Sequence, residues 1–210
     1  EGLGSTELLH IYLSNSTADQ RIGAAGARVP GYEIRLETPE GKTPAPGEEG
    51  VMFVRGHSSA PCYWNRPDKT RDTMRGDWIY TGDRFIEKDG YYYFQGRADE
   101  LIKVSGQWVW PLEVERCLNE HADVHECAVL AHQLADRRMT LRAVVRLRDG
   151  RVAGDAQIAA LQAHVKARLQ PFKYPRIVEF VADLPKTGTG KIDRQAIAAM
   201  PVREDVALSA

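Results

Sequence analysis

The chain has 210 residues, of which 43% are hydrophobic and 27% are charged, and its formal net charge is −1. This composition fits a soluble globular protein of one large or two small domains, and it excludes a disordered chain. The near-neutral net charge argues against nucleic acid as a partner, and no apolar run approaches the roughly 18 residues that a membrane helix needs.

The first half of the chain is predicted to be rich in β-strands. Short runs of β-branched and aromatic residues alternate with clusters of glycine and proline, which is typical of strands joined by turns. A short helix is predicted at 67–74, because Pro67 suits the first helical turn. This pattern favours a barrel or sandwich-like piece. The predicted strands are 32–36, 51–54, 77–80 and 90–94.

The second half alternates helices with strands, which indicates a compact α+β domain. Helices are predicted at 111–121, at 156–169 with Asp155 as the cap, and directly after Asp193. The helix at 156–169 has an apolar stripe formed by Ile158, Leu161, Val165 and Leu169. The predicted strands are 124–132, 139–147 and 176–182. The change in composition places a domain boundary between residues 1–97 and 98–210.

A stretch rich in glycine and threonine ends in a lysine at Pro185-Lys-Thr-Gly-Thr-Gly-Lys191. Glycine lets backbone amides approach an anion and lysine adds a mobile positive charge, so this is a candidate phosphate-binding loop. A Walker A loop is excluded, since Pro185 occupies the place of its first glycine and Ile192 follows the lysine. The alternative that composition leaves open is a surface turn with a solvated lysine.

Three further motifs are ambiguous when each is taken alone. The carboxylate of Tyr80-Thr-Gly-Asp83 can accept two ribose hydroxyls, or the motif is a turn that leaves a strand. Gly4-Ser-Thr-Glu7 offers hydroxyls and a carboxylate to a Mg²⁺–phosphate group, or it is a capping box or a turn. The stretch 96–106 contains Arg97, Asp99, Lys103 and Gly106, or it is simply a polar linker between domains.

Together, the order and spacing of these motifs resemble the adenylate-forming enzymes. That superfamily contains acyl- and aryl-CoA synthetases, luciferases and peptide-synthetase adenylation domains. Residues 4–15 and 104–111 resemble benzoate- and hydroxybenzoate-CoA ligases in particular. One position departs from the family: Trp108 stands where many members carry arginine, so the role of that arginine is not carried over. Other segments that agree with the family are 47–50, 90–94, 111–115 and 169–175.

The resemblance implies an α+β fold in two parts. Residues 1–97 are expected to be the β-rich end of a large N-terminal domain, a distorted barrel subdomain. Residues 98–210 are expected to be a small mobile C-terminal domain with a short mixed sheet and helices.

The resemblance also implies an acid–thiol ligase that uses ATP, Mg²⁺ and CoA to convert an aromatic carboxylic acid into its thioester through an aryl-adenylate. Lys191 is expected to offset the negative charge that develops during adenylation. The expected ATP- and AMP-binding residues are Gly4, Ser5, Thr6, Glu7, Asp83, Arg97 and Lys191, and Glu7 is also the expected metal ligand.

For thioester formation the resemblance implies a rotation of the small domain about Asp99. Lys103 is then expected to face the adenylate, while Ser105, Gly106 and Trp108 line the CoA channel. His10 and Ile11 are expected to border the aryl pocket. The alternatives are that His10 is a packed histidine and that Trp108 and Trp110 pack the small domain.

The family's phosphate loop, Ser-Gly-x-Thr-Gly-x-Pro-Lys-Gly, is absent from this sequence, which begins at Glu1. We therefore expect the larger N-terminal portion to precede this chain, and the chain alone to be inactive in adenylation. The alternatives are a carrier-protein-dependent adenylation enzyme and a non-catalytic module that binds CoA or a partner protein.

Cysteine usage bears on the compartment. The three cysteines, Cys62, Cys117 and Cys127, have neither disulfide-framework nor zinc-site spacing. This usage predicts a cytoplasmic location. The sequence shows no secretory signal, but because it begins with Glu1 its start carries no information on targeting.

Overall fold

The computed structural model describes residues 1–202. The chain divides into two compact units, the first spanning Glu1–Asp99 and the second beginning at Glu100. Strands dominate over helices in the described residues as a whole, and the α+β class expected from the sequence is confirmed. Within the described range, none of the helices is both long and apolar enough to cross a membrane.

The first unit is built on one eight-stranded antiparallel sheet and one short helix, α1 (Pro67–Thr73). Its strands are β1 (Gly2–Gly4), β2 (Ile11–Ser14), β3 (Gly26–Arg28), β4 (Tyr32–Glu37), β5 (Glu49–Gly56), β6 (Met74–Arg75), β7 (Trp78–Lys88) and β8 (Tyr91–Arg97). They follow the order β1-β2-β3-β8-β7-β5-β4, with β6 paired to β7. Because β1 and β4 are free ends, the sheet is open and the expected barrel does not close.

The core of the first unit lies against the middle of this sheet. Strand β5 runs between β4 and β7, and Met52, Phe53 and Val54 are all buried, so both of its faces are covered. Leu8 and Phe85 complete the centre of the cluster, each fully buried. Burial of these side chains is the main favourable term that holds the segment around Leu8 against the sheet.

The predicted strand at 77–80 is too short, because β7 continues to Lys88 through the Tyr80–Asp83 motif. Gly82 lies inside the strand with φ of +72°. The left-handed residue explains why the Thr-Gly-Asp sequence looks like a turn although the strand continues on both sides.

The second unit combines a β-hairpin, a three-stranded sheet and three helices. Its strands are β9 (Ile102–Val104), β10 (Gln107–Val109), β11 (Val124–Gln133), β12 (Met139–Leu147) and β13 (Ile177–Phe180); its helices are α2 (Pro111–Asn119), α3 (Asp155–Lys166) and α4 (Arg194–Ala199). The sheet order is β11-β12-β13, antiparallel and then parallel, so the short mixed sheet expected from the sequence is present.

Amphipathic helices cover the sheet of the second unit. The predicted apolar face of α2 is buried through Val114, Cys117 and Leu118, and that of α3 through Leu161 and Val165. The expected cap of α3 is wrong, since Gly154 is the N-cap residue and Asp155 belongs to the first turn. Asp193 does cap α4, its carboxylate accepting the Ala196 N–H at 2.9 Å.

Candidate functional site

The Asp83 carboxylate is presented by two paired strands of the first unit. Asp83 on β7 lies opposite Arg97 on β8, and its side chain is 20% exposed. The Thr81 hydroxyl accepts the Asp83 N–H at 3.1 Å and donates to the Met52 carbonyl at 2.8 Å. These bonds fix the backbone that aims Asp83, while Gly82 supplies the bend.

Arg97 is held in place by two carboxylates and a carbonyl. Its Nε and Nη2 donate to the two oxygens of Asp99 at 3.0 and 3.1 Å, and its Nη1 donates to Asp83 at 3.3 Å and to the Thr81 carbonyl at 3.1 Å. Hydrogen bonding to Asp99 is the main reason why the pKa of Arg97 is raised. Gly82 makes room for this guanidinium, because a Cβ there would lie 2.9 Å from Nη2.

Glu7 sits in a short 3-10 turn, Thr6–Leu8, that follows Ser5. The Tyr63 hydroxyl donates a hydrogen bond to the Glu7 carboxylate. Partial burial raises the pKa of Glu7, but hydrogen bonding, led by the bond from Tyr63, outweighs it, so the pKa is lowered overall. Glu7 is therefore held as a carboxylate anion at neutral pH.

The buried Tyr12 hydroxyl lies within electrostatic range of both Glu7 and Asp83. The Tyr12 ring is 1% exposed, and burial followed by the negative charges of Asp83 and Glu7 raises the pKa of its hydroxyl. Two motifs separated by more than seventy residues thus lie close to the same side chain. We call Glu7, Tyr12, Asp83 and Arg97 the first-unit cluster.

The remaining residues of the first motif have different surroundings. Ser5 is not a side-chain cap, although its hydroxyl is buried without a hydrogen-bond partner of good geometry. Thr6 is exposed. Gly4 is required sterically, because a Cβ there would lie 2.6 Å from the His10 carbonyl oxygen.

His10 and Ile11, the residues expected beside the aryl pocket, are both exposed in this chain. His10 is exposed and its Nδ1 lies 3.2 Å from the Ile11 carbonyl oxygen, so it is not a packed histidine. The Ile11 side chain is 43% exposed, at the start of β2.

In the second unit, Lys103 and Trp108 face each other across the β9–β10 hairpin. They are paired in the strand register, and the Lys103 ammonium lies 5.3 Å from the centre of the exposed Trp108 ring. Ser105 and Gly106 form the turn with φ of +50° and +82°. A Cβ at Gly106 would meet nothing within 4 Å, so the glycine requirement visible here is the left-handed φ.

Lys191 stands at the end of a second tight hairpin. Lys186 and Ile192 form an isolated bridge, the Thr187 N–H donates to the Lys191 carbonyl at 2.7 Å, and the Gly190 N–H donates to the Thr187 carbonyl at 2.9 Å. Among the described residues, the exposed Lys191 ammonium has no hydrogen-bond or ion-pair partner. The hairpin therefore presents a free positive charge on an ordered backbone.

The donor set around Glu7 fits magnesium that arrives with a nucleotide. The described residues contain no group of three or more His, Cys, Asp or Glu side chains placed to hold a metal ion by themselves. Mg²⁺ in nucleotide sites usually takes one or two carboxylates, with phosphates and water as its other ligands. Ionised Glu7 meets that requirement as a single anionic ligand.

Comparison with known proteins places this geometry in a family. Residues 113–191 match the model of the AMP-binding enzyme C-terminal domain. Over 196 residues the chain is 46% identical to the benzoate–CoA ligase of Thauera aromatica, covering 92% of this chain and 37% of that protein. This chain belongs to the adenylate-forming enzymes.

Further comparisons point to the same family. The chain is 41% identical to a 4-hydroxybenzoate–CoA/benzoate–CoA ligase of Rhodopseudomonas palustris, covering 95% of this chain and 37% of that protein. A benzoate CoA ligase structure from Burkholderia xenovorans superposes with a TM-score of 0.84 at 42% identity, covering 93% of this chain and 39% of that one. An anthranilate CoA ligase in complex with anthranoyl-AMP gives a TM-score of 0.84 at 40% identity, covering 94% and 39%.

Two features of the site were missed by sequence reasoning. Tyr63 received no role, because its partner Glu7 is 56 residues away and no local pattern announces the contact. Glu115 lies in a segment that carries the family resemblance, yet only the folded chain pairs it with Arg194.

Proposed function

We propose that this chain is part of an ATP-dependent aryl-CoA ligase, which converts an aromatic carboxylate, ATP and CoA into aryl-CoA, AMP and pyrophosphate. The observation that carries the proposal is the first-unit cluster, in a chain 46% identical to a benzoate–CoA ligase. The chain spans 37% of the length of that relative, so the whole reaction is proposed for the enzyme that contains it.

In the first half-reaction the carboxylate oxygen attacks the α-phosphorus of ATP and pyrophosphate leaves. Two anions must meet, so positive charge has to be placed where negative charge develops. Lys191 is suited to this because its ammonium has no competing partner among the described residues. Mg²⁺, when bound at Glu7, would neutralise phosphate charge.

Asp83 and Arg97 would bind the ribose and hold the nucleotide in position. A carboxylate has two oxygens that match the two adjacent hydroxyl donors of a ribose. Arg97 fixes one face of Asp83 and is itself fixed by Asp99. Ser5 and Thr6 would add hydroxyl contacts to the phosphates beside Glu7.

In the second half-reaction the CoA sulfur attacks the acyl carbon and AMP leaves. We propose that the β9–β10 hairpin serves this step, with Lys103 facing the adenylate and the turn at Ser105 and Gly106 beside the pantetheine arm. Trp108 offers an exposed aromatic surface next to Lys103. His10 and Ile11 would border the aromatic acid, and the enzyme is proposed to act in the cytoplasm.

The test is a panel of carboxylic acids assayed with the whole enzyme for AMP release and thioester formation. Benzoate and hydroxybenzoates should support both, and straight-chain acids should be poorer. The 210-residue chain alone is the control and should release no pyrophosphate, because the family's phosphate loop is absent from it. AMP formation without any thioester across the panel would contradict the CoA ligase assignment.

A further inference from the structure

The hairpin that presents Lys191 is joined to the rest of the second unit through Arg194. This residue opens α4, three positions after Lys191. Its Nη2 donates to the two carboxylate oxygens of Glu115 at 2.7 and 2.9 Å, and its Nη1 donates to the Val129 carbonyl at 3.0 Å. Its Nε lies 3.3 Å from the Glu100 carboxylate. One guanidinium therefore joins the hairpin to three other segments.

Glu115 is the centre of this arrangement. It lies on α2 with a side chain only 7% exposed, and its Oε1 also accepts the Val129 N–H at 2.7 Å. Val129 belongs to β11, the outer strand of the three-stranded sheet. Glu115 and Arg194 thus bind the N–H and the carbonyl that this edge strand turns away from its neighbour.

The base of the hairpin is joined to the Arg194 segment by a backbone hydrogen bond and by apolar packing. The Asp193 N–H donates to the Pro185 carbonyl at 2.8 Å, which closes the base of the hairpin directly before Arg194. Leu184 and Ile197 are buried in one small cluster, with Ile192 packed against it. The other charged contact of the hairpin, between Lys186 and Glu126, is more exposed than the pair of Arg194 and Glu115. Exposed pairs of that kind hold geometry weakly.

We propose that Arg194 and Glu115 are positioning residues that hold the Lys191 hairpin in the geometry that adenylation requires. The inference rests on the proposed function, in which Lys191 acts only in the first half-reaction. Glu100 is the first residue of the second unit, so the same guanidinium also ties the hairpin to the place where that unit begins.

The physical reason is that a reacting charge must be placed accurately. Misplacement by about 1 Å can cost roughly 100-fold in rate. Removing the Arg194 charge leaves the Glu115 carboxylate buried without its counter-ion, which is energetically costly. The hairpin then loses its bond to Glu115, and Glu115 loses the partner that holds its side chain in place. Thioester formation from preformed aryl-adenylate does not use Lys191, so it should be spared.

The experiment compares Arg194→Gln, Arg194→Lys and Glu115→Gln in the whole enzyme, with each half-reaction assayed separately. Arg194→Gln should lower adenylation at least about ten-fold more than thioester formation, and Arg194→Lys should recover part of the loss because it keeps the charge. Lys173→Gln is the matched control: it breaks an ion pair to Glu113 of the same helix, at 2.7 and 2.8 Å, without touching the hairpin.

Hydrogen exchange gives a readout that is independent of activity. The hairpin amides of Thr187 and Gly190 should exchange faster in Arg194→Gln and Glu115→Gln, but not in Lys173→Gln. Equal loss of both half-reactions, or unchanged hairpin exchange, would overturn the positioning role. If Lys191→Ala also fails to separate the half-reactions, the proposed function fails and not this inference alone.

Discussion

At the scale of single residues, ion pairing distinguishes the two lysines of the hairpin at 186–192. Lys191 projects from a closed hairpin with no partner among the described residues, whereas Lys186 in the same hairpin is paired with Glu126 at 3.0 Å. Two lysines five residues apart thus differ in whether their charge is available to a substrate.

Lys191→Ala in the whole enzyme should abolish adenylation yet leave thioester formation from preformed aryl-adenylate nearly unchanged. The expected loss is at least about 3 kcal/mol, the usual scale for one charged contact made in the transition state. Pyrophosphate release and thioester formation are measured separately, with Lys186→Ala as the control in the same hairpin. Equal loss in the two assays would contradict a role of Lys191 in adenylation alone.

Tyr63→Phe should raise the Mg²⁺ concentration needed for half-maximal adenylation several-fold. The hydroxyl donates to the Glu7 carboxylate and helps to lower its pKa, so its removal leaves the carboxylate less fixed. Hydrogen bonds to charged groups typically contribute about 1.5–3 kcal/mol. The measurement is a Mg²⁺ titration of pyrophosphate release.

Tyr93→Phe is the matched control, since the hydroxyl of Tyr93 on β8 makes no hydrogen bond within the described residues. An unchanged Mg²⁺ requirement in Tyr63→Phe would show that Tyr63 does not support a metal ligand.

At the scale of elements, close strand packing depends on individual glycines. Gly26 on β3 has φ of +127°, and a Cβ there would overlap the backbone of Ser14 on the adjoining β2. Gly23 has φ of +85° but a Cβ there would meet nothing within 4 Å. The two positions separate the cost of backbone conformation from the cost of steric overlap.

Gly26→Ala should destabilise the first unit by clearly more than Gly23→Ala. Both substitutions incur the left-handed penalty of about 1–2 kcal/mol, but only Gly26→Ala forces β2 and β3 apart. The measurement is the free energy of unfolding in urea for the two variants side by side. Similar losses of stability would mean that the strands can shift without cost.

Elements with a strong local pattern could be predicted from the sequence, and contacts between distant segments could not. The apolar faces of α2 and α3 and the Asp193 cap follow from residues a few positions apart. The sequence predicts that this strand ends at Tyr80, because Thr-Gly-Asp favours a turn. In the structure β7 continues, because its pairing with β5 and β8 keeps the backbone extended. The pairs Tyr63–Glu7 and Arg194–Glu115 join distant segments, so no local period reveals them.

At the scale of the whole molecule, the two compact units meet in sequence at Asp99 and Glu100. The Asp99 carboxylate belongs to the first unit and binds Arg97 through two hydrogen bonds. Its own pKa is lowered by those bonds. The Glu100 carboxylate contacts Arg194 in the second unit. Neighbouring acidic residues are thus each paired with an arginine of their own unit.

We predict that Asp99→Pro separates the two half-reactions by restricting the backbone at this junction. Proline fixes φ near −65° and removes a backbone donor, and it biases Ala98 toward extended geometry. If the second unit must rotate between the two steps, the restricted chain reaches one orientation and not both. Where the adenylation orientation is the one retained, aryl-adenylate formation should stay largely intact and thioester formation should slow by orders of magnitude.

Proline also removes the carboxylate that binds Arg97, so the control is Asp99→Ala, which loses the ion pair and keeps the backbone free. The ion pair is largely exposed, with 68% of the Asp99 side chain accessible, so its loss alone should be mild. Both variants are assayed in the whole enzyme for each half-reaction, with folding followed by thermal denaturation. A normally folded Asp99→Pro enzyme that keeps both rates would place the pivot elsewhere or show that no rotation is needed. Equal slowing in Asp99→Ala would instead assign the effect to Arg97 and the ribose contact.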